Sequence, residues 1–371
     1  MSPSNLRILN ISLDRSMLAA DSPVVKRIIG YSKLSEFYTV LTPAEKNQEV
    51  KINNNLKIVG VGFKNKIIGL GKIFLAANKL IRDDKCNLIS VQDQYYLGLV
   101  GLLLARKYKI GLEIQVHGIE KYGGLRKIVA HYILPRADAV RTVSGRLKRY
   151  LLDSKVDESK ITVVPVYAGE IKTIKDKEYN LKNPAVILTI CRLVPVKNIE
   201  LQLRALADLK KENLAVELWI VGGGPKKKKL KELSHELNLE PYVKFWGWQK
   251  DIENFYNQAD LFLLTSYAEG WPLVIVEAAQ YGLPIIMTDV GSAGELIVNN
   301  ESGLIIPVND QNALTQSIKT LLADQNLRKK LGKTAQQKTG EQLTWQQILG
   351  LYKNSWDKAI ANAKLSNNKK Q

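Results

Sequence analysis

The chain has 371 residues and a mass of 41.6 kDa, with 45% hydrophobic and 24% charged residues, the balance of a folded globular protein rather than of a disordered or coiled-coil one. Its 54 Lys and Arg against 36 Asp and Glu leave a formal charge of +18 and an isoelectric point near 9.6, which predicts attraction to something anionic. Two cysteines, Cys86 and Cys191, exclude a disulfide framework, cannot by themselves build a zinc site, and read as ordinary buried thiols.

The longest apolar stretch, around residues 97–105, falls far short of the roughly 20 residues a spanning helix needs. Residues 1–20 carry no signal-peptide pattern, so the expected location is the cytoplasm. In chain order, short apolar runs predict strands at 6–12, 88–91, 112–116, 139–143 and 161–164. Three- and four-residue apolar spacing predicts helices between them at 24–35, 67–81, 96–108, 125–134 and 145–152. Such βα alternation implies a parallel sheet covered by helices.

Residues 171–183 turn polar and charged, close at Pro184, and read as a linker between a first domain, 1–170, and a second, 184–344. The alternation then restarts. Strands are expected at 186–190, 216–221, 243–246, 261–264, 284–288 and 303–306, with helices at 199–210, 226–237, 252–258, 272–281 and 311–322. A last helical pattern covers 345–361, and the polar tail 367–371 reads as frayed. The fold class is therefore α/β, two doubly wound Rossmann-like domains in tandem. Ligands of such sheets bind outside the carboxyl ends of the strands, so the chemistry is expected in loops facing a cleft.

The loop after 261–264 reads Ser266-Tyr267-Ala268-Glu269-Gly270-Trp271-Pro272-Leu273-Val274-Ile275-Val276-Glu277-Ala278. Pro272 suits a first helical turn, and Gly270 lets backbone come close to a ligand. The N–H groups of Leu273 and Val274, with the helix dipole, then offer a phosphate site. Glu269 and Glu277 flank that anion as acceptors for sugar or ribose hydroxyls. After 186–190, Arg192 and Lys197 put a guanidinium fork and a mobile ammonium at a strand's carboxyl end, suited to a diphosphate leaving group. The turn Val221-Gly222-Gly223-Gly224-Pro225 brings glycines near a nucleotide, although Lys227 stands where a GxGxxG pattern needs glycine.

With these segments in this order, the chain resembles the retaining GT-B glycosyltransferases of family 4, the glycosyl transferases group 1. The family's Glu-x7-Glu segment is matched by Glu269 to Glu277, its GRLxxxKG-like loop by Arg192 and Lys197, and its VGxGP turn by Val221 to Pro225. Two further stretches match, Phe245-Trp246-Gly247 to Asp260 and Thr288 to Glu295. The resemblance implies a hexosyl transfer from a nucleotide-diphospho-sugar to a glycan or lipid-linked acceptor. It assigns the donor diphosphate to Arg192 and Lys197, the ribose to Glu277, the donor sugar to Glu269, and the border of the base to Gly222, Gly224, Trp246 and Gly247. In the first domain Val116-His117-Gly118 resembles the family's HG segment, which implies that His117 reaches the donor sugar. Ser144 resembles a turn of the family and is a weaker acceptor-side candidate, with a helix cap as its other role. The resemblance also implies that helix 345–361 completes the first domain and that hinge closure excludes water.

Departures fall on the acceptor side: the first βα loop, holding Arg15, has no glycine pair, and Val164-Pro165-Val166-Tyr167-Ala168 replaces an IPNG-like turn. No Asp-x-Asp motif sits at a strand end, so metal independence is expected, with no cofactor beyond the nucleotide-sugar co-substrate, and a front-face mechanism with retention. By sequence, residues 101–150 hold eleven basic and three acidic side chains, whereas 251–300 hold seven acids and no Lys or Arg. The basic, partly apolar segment 63–82, with 125–136 beside it, suits an anionic lipid surface, so the protein is expected in the cytoplasm or peripheral on the inner face of the plasma membrane. Two other classes compete. A glycoside hydrolase would use Glu269 and Glu277 as acid and nucleophile, but has no use for the Arg192 and Lys197 pair. A non-catalytic basic binding protein on the same scaffold would need a nucleic-acid module or a basic stripe interleaved with aromatics, and neither is visible.

Overall fold

The computed structural model describes residues 5–118, 124–169 and 177–368. The first part of the expected linker, 171–176, and the tail residues 369–371 lie outside them. The chain divides into two compact units, residues 1–165 with 343–371, and residues 166–342.

The first unit is built on an eight-stranded sheet: β1 (Arg7–Ile11), β2 (Phe37–Ala44), β3 (Gln48–Lys51), β4 (Leu56–Gly62), β5 (Leu88–Val91), β6 (Gly111–Val116), β7 (Ala139–Thr142) and β8 (Ile161–Val163). Its order is β3-β4-β2-β1-β5-β6-β7-β8, parallel except for β3, which pairs antiparallel with β4 at the edge. Helices α1 (Pro23–Ser32), α2 (Lys66–Asp83), α3 (Tyr96–Tyr108), α4 (Leu125–Ile133) and α5 (Gly145–Asp153) connect the strands. Strand residues alternate between two buried faces. Ile11, Ile89, Leu112, Ile114 and Val140 pack on one side with α2 to α5, and Ile8, Val40, Leu88 and Ala139 on the other.

The second unit runs β9 (Ala185–Ile190), α6 (Ile199–Lys211), β10 (Val216–Val221), α7 (Lys227–Glu236), β11 (Val243–Gly247), α8 (Glu253–Gln258), β12 (Leu261–Leu264), α9 (Leu273–Gln280), β13 (Ile285–Thr288), β14 (Leu304–Ile306), α10 (Gln311–Ala323) and α11 (Gln325–Gly340). Its six parallel strands take the order β11-β10-β9-β12-β13-β14. The chain then returns to the first unit as α12 (Trp345–Asn368), whose Trp356 and Ala359 fill the second face of that sheet.

Four elements go beyond the sequence reading. Strands β2 to β4 occupy residues that it passes over, and α11 is a sixteen-residue helix with few apolar side chains. Both sheets are covered on two faces, which is why most parallel strands read as continuous apolar runs. Strand β6 differs: Leu112, Ile114 and Val116 alternate with Glu113 and Gln115, and all of them are buried. On a sheet with one wet face such alternation would put the carboxylate in water; here it faces α12.

Candidate functional site

In the second sheet the order reverses between β9 and β12, neighbours whose connections leave in opposite directions. A crevice forms at such a switch point, outside the carboxyl ends of the two strands. The loop after β9 carries Arg192 and Lys197, and the loop after β12 carries Glu269, so the topology delivers the cations and the acid to one edge.

The two loops are tied together. The Tyr267 amide donates to the Val196 carbonyl at 2.8 Å, and Thr265 Oγ1 donates to the carbonyls of Lys197 and Asn198. Across them Lys197 Nζ lies 2.5 Å from Glu269 Oε1, with both side chains mostly shielded from solvent. Ser266 Oγ donates to the same oxygen at 2.6 Å. Arg192 is exposed, and among the described residues it has no ion-pair partner.

Pro272 is the N-cap of α9 rather than its first helical residue, and it supplies no side-chain cap. Leu273 and Val274 therefore open the helix, with N–H groups that no earlier turn can satisfy. Gly270 is buried and Trp271 half-buried, with the Trp271 Nε1 unpartnered among the described residues. The β13 loop closes on them: a Cβ on Gly291, whose φ is +58°, would stand 2.9 Å from Glu269 Cβ and from Pro272 Cδ.

Glu277 lies one turn into α9 and accepts a 2.7 Å hydrogen bond from the Tyr256 hydroxyl. Burial first, and the Glu277 charge second, raise the Tyr256 phenol well above its ordinary range, so it stays a donor. Gly222 and Gly224 have φ of +132° and +157°, and a Cβ on either would run into the carbonyl of Cys191 or Leu193. Their close approach is thus to the neighbouring 191–193 loop. The Gly222 amide also donates to the Gly247 carbonyl at 2.7 Å. Trp246 is 42% exposed and packs edge-on against Trp219 and Phe255, at 5.3 and 5.2 Å.

In the first unit His117 follows β6, exposed at the strand's carboxyl end, with Nε2 3.2 Å from Gln115 Oε1. Desolvation, and after it the Arg141 cation, push the imidazole down to about 4; its solvent-facing surface screens part of that effect, whose direction favours the neutral ring at pH 7. Ser144 is fully buried, and its hydroxyl caps α5 by accepting from the Leu147 amide at 3.2 Å. Arg15 is exposed. Among the described residues no three His, Cys, Asp or Glu side chains are grouped as metal ligands.

The sequence reading did not single out Tyr256, Ser266 or Gly291. All three lie in stretches that the motifs cover, Tyr256 in 245–260, Ser266 at the head of the Glu269 loop and Gly291 in 288–295; what left no spacing to read is their partnerships, which run across loops.

Two family models match the chain: "Glycosyl transferases group 1" over residues 170–338 and "Glycosyltransferase Family 4" over residues 37–166. Among curated relatives, the N-acetyl-alpha-D-glucosaminyl L-malate synthase of Bacillus anthracis is 29% identical over 188 residues, 50% of this chain and 49% of that one. The N-acetylgalactosamine-N,N'-diacetylbacillosaminyl-diphospho-undecaprenol 4-alpha-N-acetylgalactosaminyltransferase of Campylobacter jejuni is 30% identical over 210 residues, 55% of this chain and 56% of that one. The chain thus matches about half the length of these two relatives. Among solved structures, sucrose-phosphate synthase from Thermosynechococcus elongatus superposes with a TM-score of 0.79 at 20% identity, covering 96% of this chain and 99% of the other. HepE of Anabaena, solved with UDP and glucose, gives 0.75 at 19% identity, covering 95% and 99%. At these identities the two structures establish the shared fold.

Proposed function

The chain belongs to the group 1 glycosyltransferases and has the GT-B fold, and we propose that it transfers a hexosyl unit from a nucleotide-diphospho-sugar to a hydroxyl of a glycan or lipid-linked acceptor. The observation that carries the reading is the meeting of Lys197 and Glu269 at the β9/β12 switch point, with Arg192 on the same loop as Lys197, without an ion-pair partner among the described residues, and the start of α9, which has no side-chain cap, on the Glu269 loop. A diphosphate suits two cations and helix N–H groups, and a neutral sugar suits the acids.

In the proposed reaction the C1–O bond to the β-phosphate breaks while the acceptor oxygen bonds to C1 on the same face, which retains the anomeric configuration. The acceptor's proton passes to a leaving phosphate oxygen. Arg192 and Lys197 take up the charge that develops on the diphosphate, the role a metal ion would otherwise fill, so no metal is required. Glu277, held by Tyr256, accepts from the ribose; Glu269 and His117 accept from the donor sugar. Trp246 and the Gly222 to Gly224 turn border the base.

For the acceptor side we propose an anionic membrane surface bearing the lipid-linked sugar. Helix α4 exposes Leu125, Ile128 and Tyr132 among Arg126 and Lys127, with Arg136 in the turn that follows, and α2 exposes Ile68 and Leu75 among Lys72, Lys79 and Arg82. Apolar side chains fringed by cations suit the interface of an anionic bilayer. Among the described residues no helix is long and apolar enough to cross a membrane. The Campylobacter relative is named for a diphospho-undecaprenol substrate.

Incubation with UDP-, GDP- and ADP-sugars tests the enzymatic reading: slow release of the nucleoside diphosphate from one of them, with EDTA present, is expected. No release from any donor, with or without an acceptor extract, would overturn it. Flotation with vesicles containing anionic lipid, lost at high salt and in Ile128→Asp, tests the surface.

A further inference from the structure

A buried polar network lies under His117 and takes no part in the reaction above. Glu113 on β6 is fully buried, and its carboxylate receives Arg141 Nε at 3.1 Å, Ser355 Oγ at 2.5 Å, Trp356 Nε1 at 3.2 Å and Ser90 Oγ at 2.5 Å. Gln115 Nε2 lies 2.7 Å from Ser90 Oγ, and Gln115 Oε1 lies 3.2 Å from His117 Nε2. We propose that Ser90 and Gln115 are positioning residues that fix His117 as its Nε2–H tautomer, leaving Nδ1 as the acceptor for a hydroxyl of the donor sugar.

Donor and acceptor valence fixes each proton of this network. Arg141 and Trp356 can only donate, and the ion pair with the Arg141 guanidinium makes the Glu113 carboxylate an acceptor only, so both serine hydroxyls donate to it. The single hydroxyl proton of Ser90 therefore goes to Glu113. Its oxygen must then accept from Gln115, so the NH2 end of that amide faces Ser90. The carbonyl end remains for His117, and a carbonyl only accepts, so Nε2 carries the proton. A neutral ring has one proton, and Nδ1 keeps its lone pair. Such a nitrogen takes a hydroxyl proton and cannot donate to a phosphate oxygen. The buried Glu113 thus sets, through two side chains, which chemistry His117 offers at the surface.

The hydroxyl role rests on the glycosyltransferase reading; the tautomer does not, and it can be read with no substrate present. The chain has three histidines, and the other two, His131 and His235, are exposed, so His131→Gln with His235→Gln leaves one imidazole for ring-15N correlation spectra at pH 7. The expected result is a single Nε2–H ring in this background, averaging between tautomers once Gln115→Met or Ser90→Ala is added. A ring protonated at Nδ1, or one unchanged in Gln115→Met, would overturn the proposal. Should Ser90→Ala fail to fold, Gln115→Met and the starting spectrum decide it. In hydrolysis of UDP-, GDP- and ADP-glucose, Gln115→Met is expected to raise KM about tenfold on the donor that is used, with kcat little changed, and His117→Ala to do at least as much. Full turnover in His117→Ala would overturn the hydroxyl role. Absence of turnover by the unmodified chain would remove the functional reading while the spectra still judge the tautomer.

Discussion

Lys197 Nζ and Glu269 Oε1 lie 2.5 Å apart, although 72 residues separate them. The contact bolts the loop after β9 to the loop after β12 and holds the ammonium that we propose meets the donor diphosphate. Lys197→Ala and Glu269→Ala are each expected to lower kcat/KM by about a hundredfold or more, the scale of one preorganised transition-state contact. Both lie in loops, so circular dichroism and cooperative melting should be preserved. Full activity in either variant would remove that residue from the mechanism.

Tyr256 donates to Glu277 at 2.7 Å. Tyr256→Phe removes one charge-assisted hydrogen bond with little change of shape. The expected outcome is a several-fold rise in donor KM, kcat within about twofold, and a stability loss of about 1–2 kcal/mol. Steady-state kinetics and urea melts check both parts.

Gly222 has no room for a side chain, because a Cβ would meet the Cys191 carbonyl, and its φ of +132° disfavours any L-residue. Gly222→Ala is expected to cost about 2 kcal/mol or more, roughly 5 °C or more in melting temperature. Calorimetry reads this directly, and a variant as stable as the parent would show that the turn is not packed as described.

Arg141 stacks over the Tyr352 ring at 3.8 Å and binds Glu113. Both members of the pair are buried, so Arg141→Met leaves a carboxylate without its cation and is expected to destabilise the first unit by about 3–5 kcal/mol. Exchanging both, with Glu113→Gln, should recover part of that loss, which a double-mutant cycle in urea measures.

Cys191 stands beside the cationic loop, yet desolvation pushes its thiol up to about 12, and Glu269 adds to the shift while Lys197 opposes it. Burial likewise pushes Cys86 up to about 12. The reactive thiolate is scarce below that pH. Neither thiol is expected to react quickly with iodoacetamide at pH 7.5, and activity should survive the treatment. Rapid inactivation protected by a nucleotide would contradict this.

Much of the fold was legible because a parallel sheet covered on both faces leaves strands as apolar runs and helices as periodic ones. The exceptions have physical causes. Residues 37–62 hold three strands with no helix between them, so the alternation that marks βα units is absent there. Helix α11 buries only a narrow stripe, including Leu331 and Ala335, and its sequence reads as polar. In the site, residue types at strand ends pointed to Arg192, Lys197, Glu269 and Glu277, since loop chemistry follows strand position. The partnerships were not legible. Glu113 meets Ser355 across 242 residues of chain, and Tyr256 meets Glu277 from a different helix. Ser144 was open to two readings, and its hydroxyl is the α5 cap.

The most direct measurement is calorimetric titration of the protein, and of Arg192→Ala and Lys197→Ala, with UDP, GDP and ADP in the presence of EDTA. The account predicts that one of these nucleotides binds the parent chain and that each variant binds it at least tenfold more weakly. Binding of none of them, or equal binding by the parent and both variants, would contradict it.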